Sequence, residues 1–410
     1  MAEGAVLPVE TMTGPLTTGR SLWADARGRL VRNRAALTSI IVLGLIAIAC
    51  IVGPFFTGHP FDRVYPDYVK VPASLEAYPQ PDQVTPNIER IGARVRATPE
   101  TIAVKEDVAT VTLVGTRPID ERLLAYFERS DLFGPARVVE RADEGRRLVV
   151  DVPLKKQYFL FGTDTNGRDL LTRTMKAGQI SLSIGLLATF VAIVIGVIYG
   201  ATSGYLGGRV DLVMMRVVDI LYSLPFIFFV IMLVVFFGRN FILMFIAVGA
   251  VEWLDMARIV RGQTLSIKRQ EYVQAAEALG VETRGIIRRH VIPNTLGPVV
   301  VYMTLLVPKV ILLESFLSFL GLGVQEPNTS LGVLISEGAK NIQGATWMLL
   351  YPSLTLVAIL FCLNFIGDGL RDALDPKDRC PWLKLQRPNP SSPSATSTSA
   401  SAPATAFSMR

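Results

Sequence analysis

Four acidic residues stand inside long apolar runs of this 410-residue chain: Asp219, Glu252, Asp255 and Glu314. A charge near the centre of a bilayer costs about 2.5–3.5 kcal/mol on insertion scales, so such groups face other protein or water. Two chemistries fit them. Either they line or gate a path for a solute or a proton, or they hydrogen-bond one buried helix to another. Asp219 lies near one end of its run, where water or Arg216 relieves its charge. A further polar group, Asp164, Asn166 and Asp169, sits in Phe161-Gly-Thr-Asp-Thr-Asn-Gly-Arg-Asp169. The order of a calcium loop, with Gly at its sixth position and Glu at its twelfth, is absent there. The string reads instead as a turn that caps and fixes the approach to the next helix. There is no GxxxxGK[ST] loop and no Ser/His/Asp set. The two histidines, His59 and His290, are far apart, which argues against a His-built metal site. Cys50 and Cys362 fall in apolar runs and Cys380 near the end, so no disulfide framework is suggested. No catalytic residue, metal or bound cofactor is assigned to the chain.

The elements that must carry these residues follow from hydropathy. The chain is 50% hydrophobic and 19% charged, less charged than the ~25% of soluble proteins. Six stretches have the roughly 20 residues that span a bilayer: 37–56, 180–199, 217–237, 241–260, 296–320 and 347–370. Arg27, Arg29, Arg32 and Arg34 precede the first, Arg209 and Arg216 lie between the second and third, and a basic cluster occupies 258–289. All fall on one side of a six-span path, so the positive-inside rule makes that side, with both termini, cytoplasmic. The modest net charge of +6 is thus explained by topology and not by nucleic acid. The first run is span-long, so it reads as a retained helix behind a cytoplasmic segment 1–36, not as a signal peptide. Gly238-Arg239-Asn240 makes a tight outside turn between the third and fourth spans. In the second span Gly196, Gly200 and Gly204 align small residues on one face, which allows close helix packing in lipid. Pro225 should bend the third span.

Between the first two spans, 57–162 has a different character. Val108–Val114 and Arg147–Val152 are strand-like, 119–129 reads as a helix, and 65–86 is Pro-rich and irregular. A small α+β extracytoplasmic domain is expected. The permease core then covers 163–377, and 378–410 is a cytoplasmic tail whose Pro, Ser, Ala and Thr predict disorder.

One polar island interrupts the apolar core, the loop 261–293. Glu271-Tyr-Val-Gln-Ala-Ala-Glu-Ala-Leu-Gly280 suits a short helix ended by a left-handed glycine. A second short helix over about 283–290 is expected to follow, with Pro293 opening a third. Ala275 and Ala276 offer a small-residue surface on which another backbone or a groove wall rests closely. The string EYVQAAEALG…IIRRHVIPN resembles the EAA loop of bacterial ABC importer permeases, in the form found in the oligopeptide/dipeptide and nickel branch. Gln274 stands where the general motif has Glu, and His290 where Ile is usual. FGTDTNGRD before the second span, Ser315–Gln325 (SFLSFLGLGVQ) at the end of the fifth, and Gly367–Pro376 resemble further strings of the same branch.

The resemblance implies an all-α polytopic membrane protein with the six-helix, type I importer (MetI-like) permease fold, of the C-type, interrupted by the α+β insert. It implies that Glu271, Gln274, Ala275, Ala276, Gly280 and Pro293 form a coupling element seated in a cytoplasmic ATPase. It also implies a homologous second permease, two ATPase subunits that hold ATP and Mg, an extracytoplasmic solute-binding protein, and a bacterial inner-membrane location. Peptide is the expected solute, with nickel or another small solute as the alternative. An ion-coupled secondary transporter using Asp219, Glu252 or Glu314 and a non-transporting scaffold for the insert are the readings from other classes.

Overall fold

A computed structural model describes residues 22–105, 107–237 and 241–374. The membrane-embedded part is helical. α1 (Leu22–Arg32) and α2 (Arg34–Val52) lead into the insert. α5 (Leu170–Leu206), α6 (Gly208–Ser223), α7 (Phe226–Phe237), α8 (Phe241–Ile267), α9 (Glu271–Ala278), α10 (Thr283–Ile286), α11 (Ile292–Phe319), α12 (Leu331–Lys340) and α13 (Trp347–Leu374) follow it. In the insert, α3 (Pro81–Val95) and α4 (Ala125–Glu128) accompany strands β1 (Ala97–Lys105), β2 (Val108–Gly115), β3 (Arg137–Ala142) and β4 (Arg147–Pro153).

Four rods among the described residues are long and apolar enough to cross a membrane: Arg34–Phe55, Leu170–Leu206, Thr283–Phe319 and Trp347–Leu374. The two other expected spans fall on α6–α8 and are less regular. The expected third span, 217–237, is two helices. Leu224 is extended (φ −74°, ψ 128°), because the residue before a proline is driven from the α region. Pro225 therefore breaks the rod between α6 and α7 where a bend was expected. α8 is long enough but carries Glu252, Asp255 and Arg258. α5 greatly exceeds the expected 180–199. Its 37 residues measure roughly 55 Å, so it extends beyond the hydrocarbon. The turn 238–240 and the tail 378–410 lie outside the described residues.

Helix ends are set locally. Asn33 Oδ1 accepts the N–H of Ala35 at 3.1 Å and of Ala36 at 3.3 Å to start α2, satisfying two otherwise orphan donors. Asp169 likewise accepts the Thr172 N–H at 2.8 Å to start α5. On α2, Ile41, Leu45, Ile48 and Ile51 are exposed, the face a lipid-embedded rod turns to the acyl chains.

α5 and α8 pack with their backbones almost touching. A Cβ at Gly200 would lie 2.4 Å from the Ala257 carbonyl oxygen, and Gly196 and Gly204 face Met256 and Thr264 of the same helix. Gly200→Val must therefore part the helices. We expect it to lower the thermal midpoint of the detergent-purified chain, at a cost of about 1–3 kcal/mol or more from overpacking. Gly262→Ala, with no atom within 4 Å of the new Cβ, should hold or raise the midpoint. Equal melting of the two variants would refute the packing argument.

The insert is an antiparallel sheet of order β1-β2-β4-β3. Val111 faces Val150 and Leu113 faces Leu148 across β2–β4. All four are buried with Ile88 of α3, Tyr68, Tyr78, Phe127, Phe133 and Phe159. The expected helix over 119–129 is a 3-10 turn, Glu121–Leu124, running into the single turn of α4. The Pro-rich stretch is irregular only until Pro81, which occupies the first turn of α3, where a missing N–H is harmless. Within the insert, hydrophilic anchoring is local. Burial works against the Asp67 carboxylate, but hydrogen bonds from Ser130, the Asp131 N–H and Arg90 hold it below the usual carboxylate range.

The string FGTDTNGRD joins insert to core. The Thr163 side chain accepts the Val71 N–H at 2.8 Å and its hydroxyl donates to the Tyr68 carbonyl. Its own carbonyl accepts the Trp347 indole N–H of α13 at 3.2 Å. Asp164 accepts the N–H groups of Asn166 and Arg168, both at 2.8 Å, through Oδ1. Through Oδ2 it pairs with the guanidiniums of Arg168 and Arg173. Those arginines reach on to Glu326 at 2.7 Å and to Glu337 of α12 at 3.3 Å. Burial pushes the Glu337 carboxyl up, and Arg173 opposes that.

Candidate functional site

Two places gather the sequence-predicted site residues. The first is the polar island. α9 ends in a Schellman arrangement: the Gly280 N–H donates to the Glu277 carbonyl at 3.0 Å and the Val281 N–H to that of Ala276 at 3.1 Å. Gly280 has φ +77° with open space around it, so its glycine is required by the backbone and not by crowding. One face of α9 is internal. Val273 and Ala276 are buried in a cluster with Tyr205, Ile286 and Val291. The opposite face presents Glu271, Gln274, Ala275 and Leu279, the last 83% exposed. Tyr272 and Val281 extend this apolar outward surface. The two alanines expected to share a surface are thus divided: Ala275 faces out and Ala276 supports the helix from within. Gln274 Nε2 makes only a long bond to the Arg269 carbonyl, at 3.4 Å.

The expected second short helix starts at Thr283 as α10, and Pro293 stands in the opening turn of α11 as expected, but a π-turn joins the two into one continuous rod, Thr283–Phe319. A π-turn at Ile287–Val291 brings the Ile292 N–H to the Ile287 carbonyl. That wider turn shifts the ladder where Pro293 has no N–H to offer, so the helix continues through it. Pro293 lies exposed in the first turn of α11. Beyond the turn at Gly280 that ends α9, the rod runs from the polar island through the π-turn and past Pro298 into the bundle as far as Lys309 and on to Phe319.

The second place is the interior of α8 and α11. Lys309 of α11 donates to Glu252 at 2.8 Å and to Asp255 at 3.0 Å, both on α8. The three line a cavity of about 380 Å³ at the α6–α7 break, together with Tyr222, Pro225 and Leu313. Glu252 is 4% exposed, Asp255 25% and Lys309 50%. Asp219 is not part of that lining; it pairs at 2.9 Å with Arg258, whose guanidinium lies over the ring of Tyr222. Glu314 is elsewhere. It is fully buried, accepting from Ser318 at 2.6 Å and Ser181 of α5 at 3.4 Å. Ser181 in turn accepts the Leu331 N–H at the start of α12. Glu314 thus has the helix-to-helix geometry, whereas Glu252 and Asp255 have the cavity geometry. Gly196, Gly200 and Gly204 touch neither place directly, but they fix α5 against α8. Sequence reading missed Lys309. Its signal was the Glu252/Asp255 pair, three residues apart on one helix face, which demands a nearby cation.

The binding-protein-dependent transport system inner membrane component family matches residues 177–379, and the N-terminal TM domain of oligopeptide transport permease C matches 21–74. The oligopeptide transport system permease protein OppC of Haemophilus influenzae is 43% identical over 88% of this chain and 90% of its own length. That of Escherichia coli K12 is 45% identical over 88% and 93%. The dipeptide transport system permease protein DppC of Bacillus subtilis is 48% identical over 53% and 69%. Inward facing MetNI methionine ABC transporter chains align with a TM-score of 0.42 at 20% identity, over 50% of this chain and 96% of theirs.

Proposed function

The chain belongs to the oligopeptide-transport C-type permease subunits of ABC importers, a family of multi-pass membrane proteins, and from that premise we propose that α9 is the lever through which separate ATPase subunits drive peptide import. The carrying observation is Leu279, 83% exposed at the tip of a helix whose other face is locked into the bundle. An exposed apolar tip on a rigid mount is the form of a residue that fills a partner's groove. Family membership and the relatives' names favour peptide over nickel as the solute.

ATP and magnesium are held by two cytoplasmic partner subunits. Their closure pushes α9, and across the short Gly280 turn the rod Thr283–Phe319 carries that motion to Lys309. The cavity beside Lys309 is this subunit's half of a path completed by a second permease. A solute-binding protein delivers peptide from the side of the insert, with both chain ends in the cytoplasm. ATP and the loaded binding protein must each favour the outward form, since a ligand shifts an equilibrium only by its differential affinity.

The test is a single Cys at position 279 in a chain otherwise free of cysteine, assembled with its partners in cells. We expect it to resist a membrane-impermeant maleimide added outside and to cross-link to the ATPase within a short reagent's reach. Labelling from outside, or cross-linking only to lipid, would refute the coupling assignment.

A further inference from the structure

The clasp of Lys309 by two carboxylates leaves the cavity with an imbalance. Glu252, Asp255 and Lys309 line it, two carboxyl groups against one amine, a formal surplus of one negative charge. Asp219 and Arg258, outside that lining, neutralise one another at 2.9 Å. Ser223 apart, the rest of the cavity wall is apolar or aromatic, with Leu221, Tyr222, Phe229 and Leu313. A surplus charge in such surroundings is costly and attracts an opposite one. Its place within the cavity is marked by exposure. Glu252 is enclosed, whereas Asp255 is a quarter exposed and its Lys309 partner half exposed. The volume, about 380 Å³, lies at the small end of ligand-holding cavities, enough for a terminal residue and not for a whole folded peptide.

Resting on the path reading above, we infer that this cavity is a way-station for the ammonium group of a passing peptide, with Asp255 as its counter-ion and Glu252 fixing Lys309 beside it. An unblocked peptide must bring its charged amino terminus through a low-dielectric bundle, where a bare ion is strongly disfavoured. Asp255 supplies the compensating charge at the α6–α7 break. Lys309 keeps the site from holding the ammonium too tightly: it competes for the same oxygens, so the peptide leaves as it arrived. Glu314 has no part in this, being enclosed by serines.

The experiment is uptake by the assembled transporter at saturating loaded binding protein. It uses a neutral-side-chain peptide with a free amino terminus, its N-acetylated form, and an N-acetylated form carrying one lysine. The peptides are chosen so that the binding protein holds all three equally well. Wild type should import the free peptide about tenfold faster than the acetylated one. In Asp255→Asn that ratio should fall to near one, and Asp255→Glu should restore it. Uptake of the acetylated lysine peptide at the free-peptide rate would show that any ammonium serves, and at the blocked rate that the terminal one is read. A ratio in Asp255→Asn equal to the wild-type ratio, whether total uptake falls or holds, would overturn the proposal. Ser223→Trp at the break serves separately for the path reading. Unimpeded import of all three peptides by that variant would show that the cavity is off the path.

Discussion

Leu279→Asp is expected to abolish ATP-driven uptake while leaving the permease folded. Leu279 is 83% exposed, so the isolated chain loses no packing, and surface changes of this kind cost within about 0.5 kcal/mol. On the coupling role proposed for α9, the same side chain fills an apolar groove of an ATPase subunit in the assembled transporter. Fully burying a leucine is worth about 1.5–3 kcal/mol, and an unpaired carboxylate in that groove adds a penalty of its own. A combined loss of about 3 kcal/mol or more weakens association over a hundredfold. Co-purification with the ATPases and binding-protein-stimulated hydrolysis should therefore both fail, with membrane levels of the permease unchanged. Leu279→Met should behave as wild type. Gly280→Val acts by another route: forcing a β-branched residue to φ +77° costs about 1–2 kcal/mol or more and mis-sets the tip without changing its chemistry. Should Leu279→Asp assemble and hydrolyse normally, α9 is not the lever.

What was legible beforehand was what repeats or punctuates. The helix-glycine pattern at 271–280 carried its own termination signal, and Gly196, Gly200 and Gly204 declared a close contact before its partner was known. Strands β2 and β4 stood out because both are buried on one face and rich in Val and Leu. What stayed hidden depends on contacts across the chain. Lys309 lies 57 residues from Glu252, and a lone lysine in an apolar run does not name its partner. The inward side of α9 could not be chosen from sequence, since Ala275 and Ala276 are chemically alike and only the packing of Val273 decides between them. The length of α5 was hidden by its polar first turns, where Arg173 and Lys176 lower the apparent apolarity of a helix that continues outside the lipid. The edge strands β1 and β3 are mostly exposed and so lack the alternation that marks a half-buried strand.

Asp164→Asn should be the most destabilising single-atom exchange in the described core. Asp164 is fully buried and Arg173 is 1% exposed, so their charges were taken out of water together. Asparagine keeps the Oδ1 that receives the Asn166 and Arg168 N–H groups, and the turn survives. It replaces the Oδ2 that binds two guanidiniums with a third donor. Arg168 retains Glu326 at 2.7 Å, but Arg173 is left with Glu337 alone, at 3.3 Å. Removing one partner of a buried pair costs about 3–5 kcal/mol, because the remaining charge is stranded. The thermal midpoint in detergent should fall by on the order of 5–10 °C. Adding Arg173→Met removes the stranded cation, so the double variant should regain part of the loss, a coupling of roughly 1–3 kcal/mol between neighbours. The insert hangs on this turn through Tyr68 and Val71. Protease sensitivity at 57–162 should therefore rise in Asp164→Asn and recede in the double variant. Simple additivity, or a single variant that melts with wild type, would mean that the arginines are solvated and that the string is only a turn.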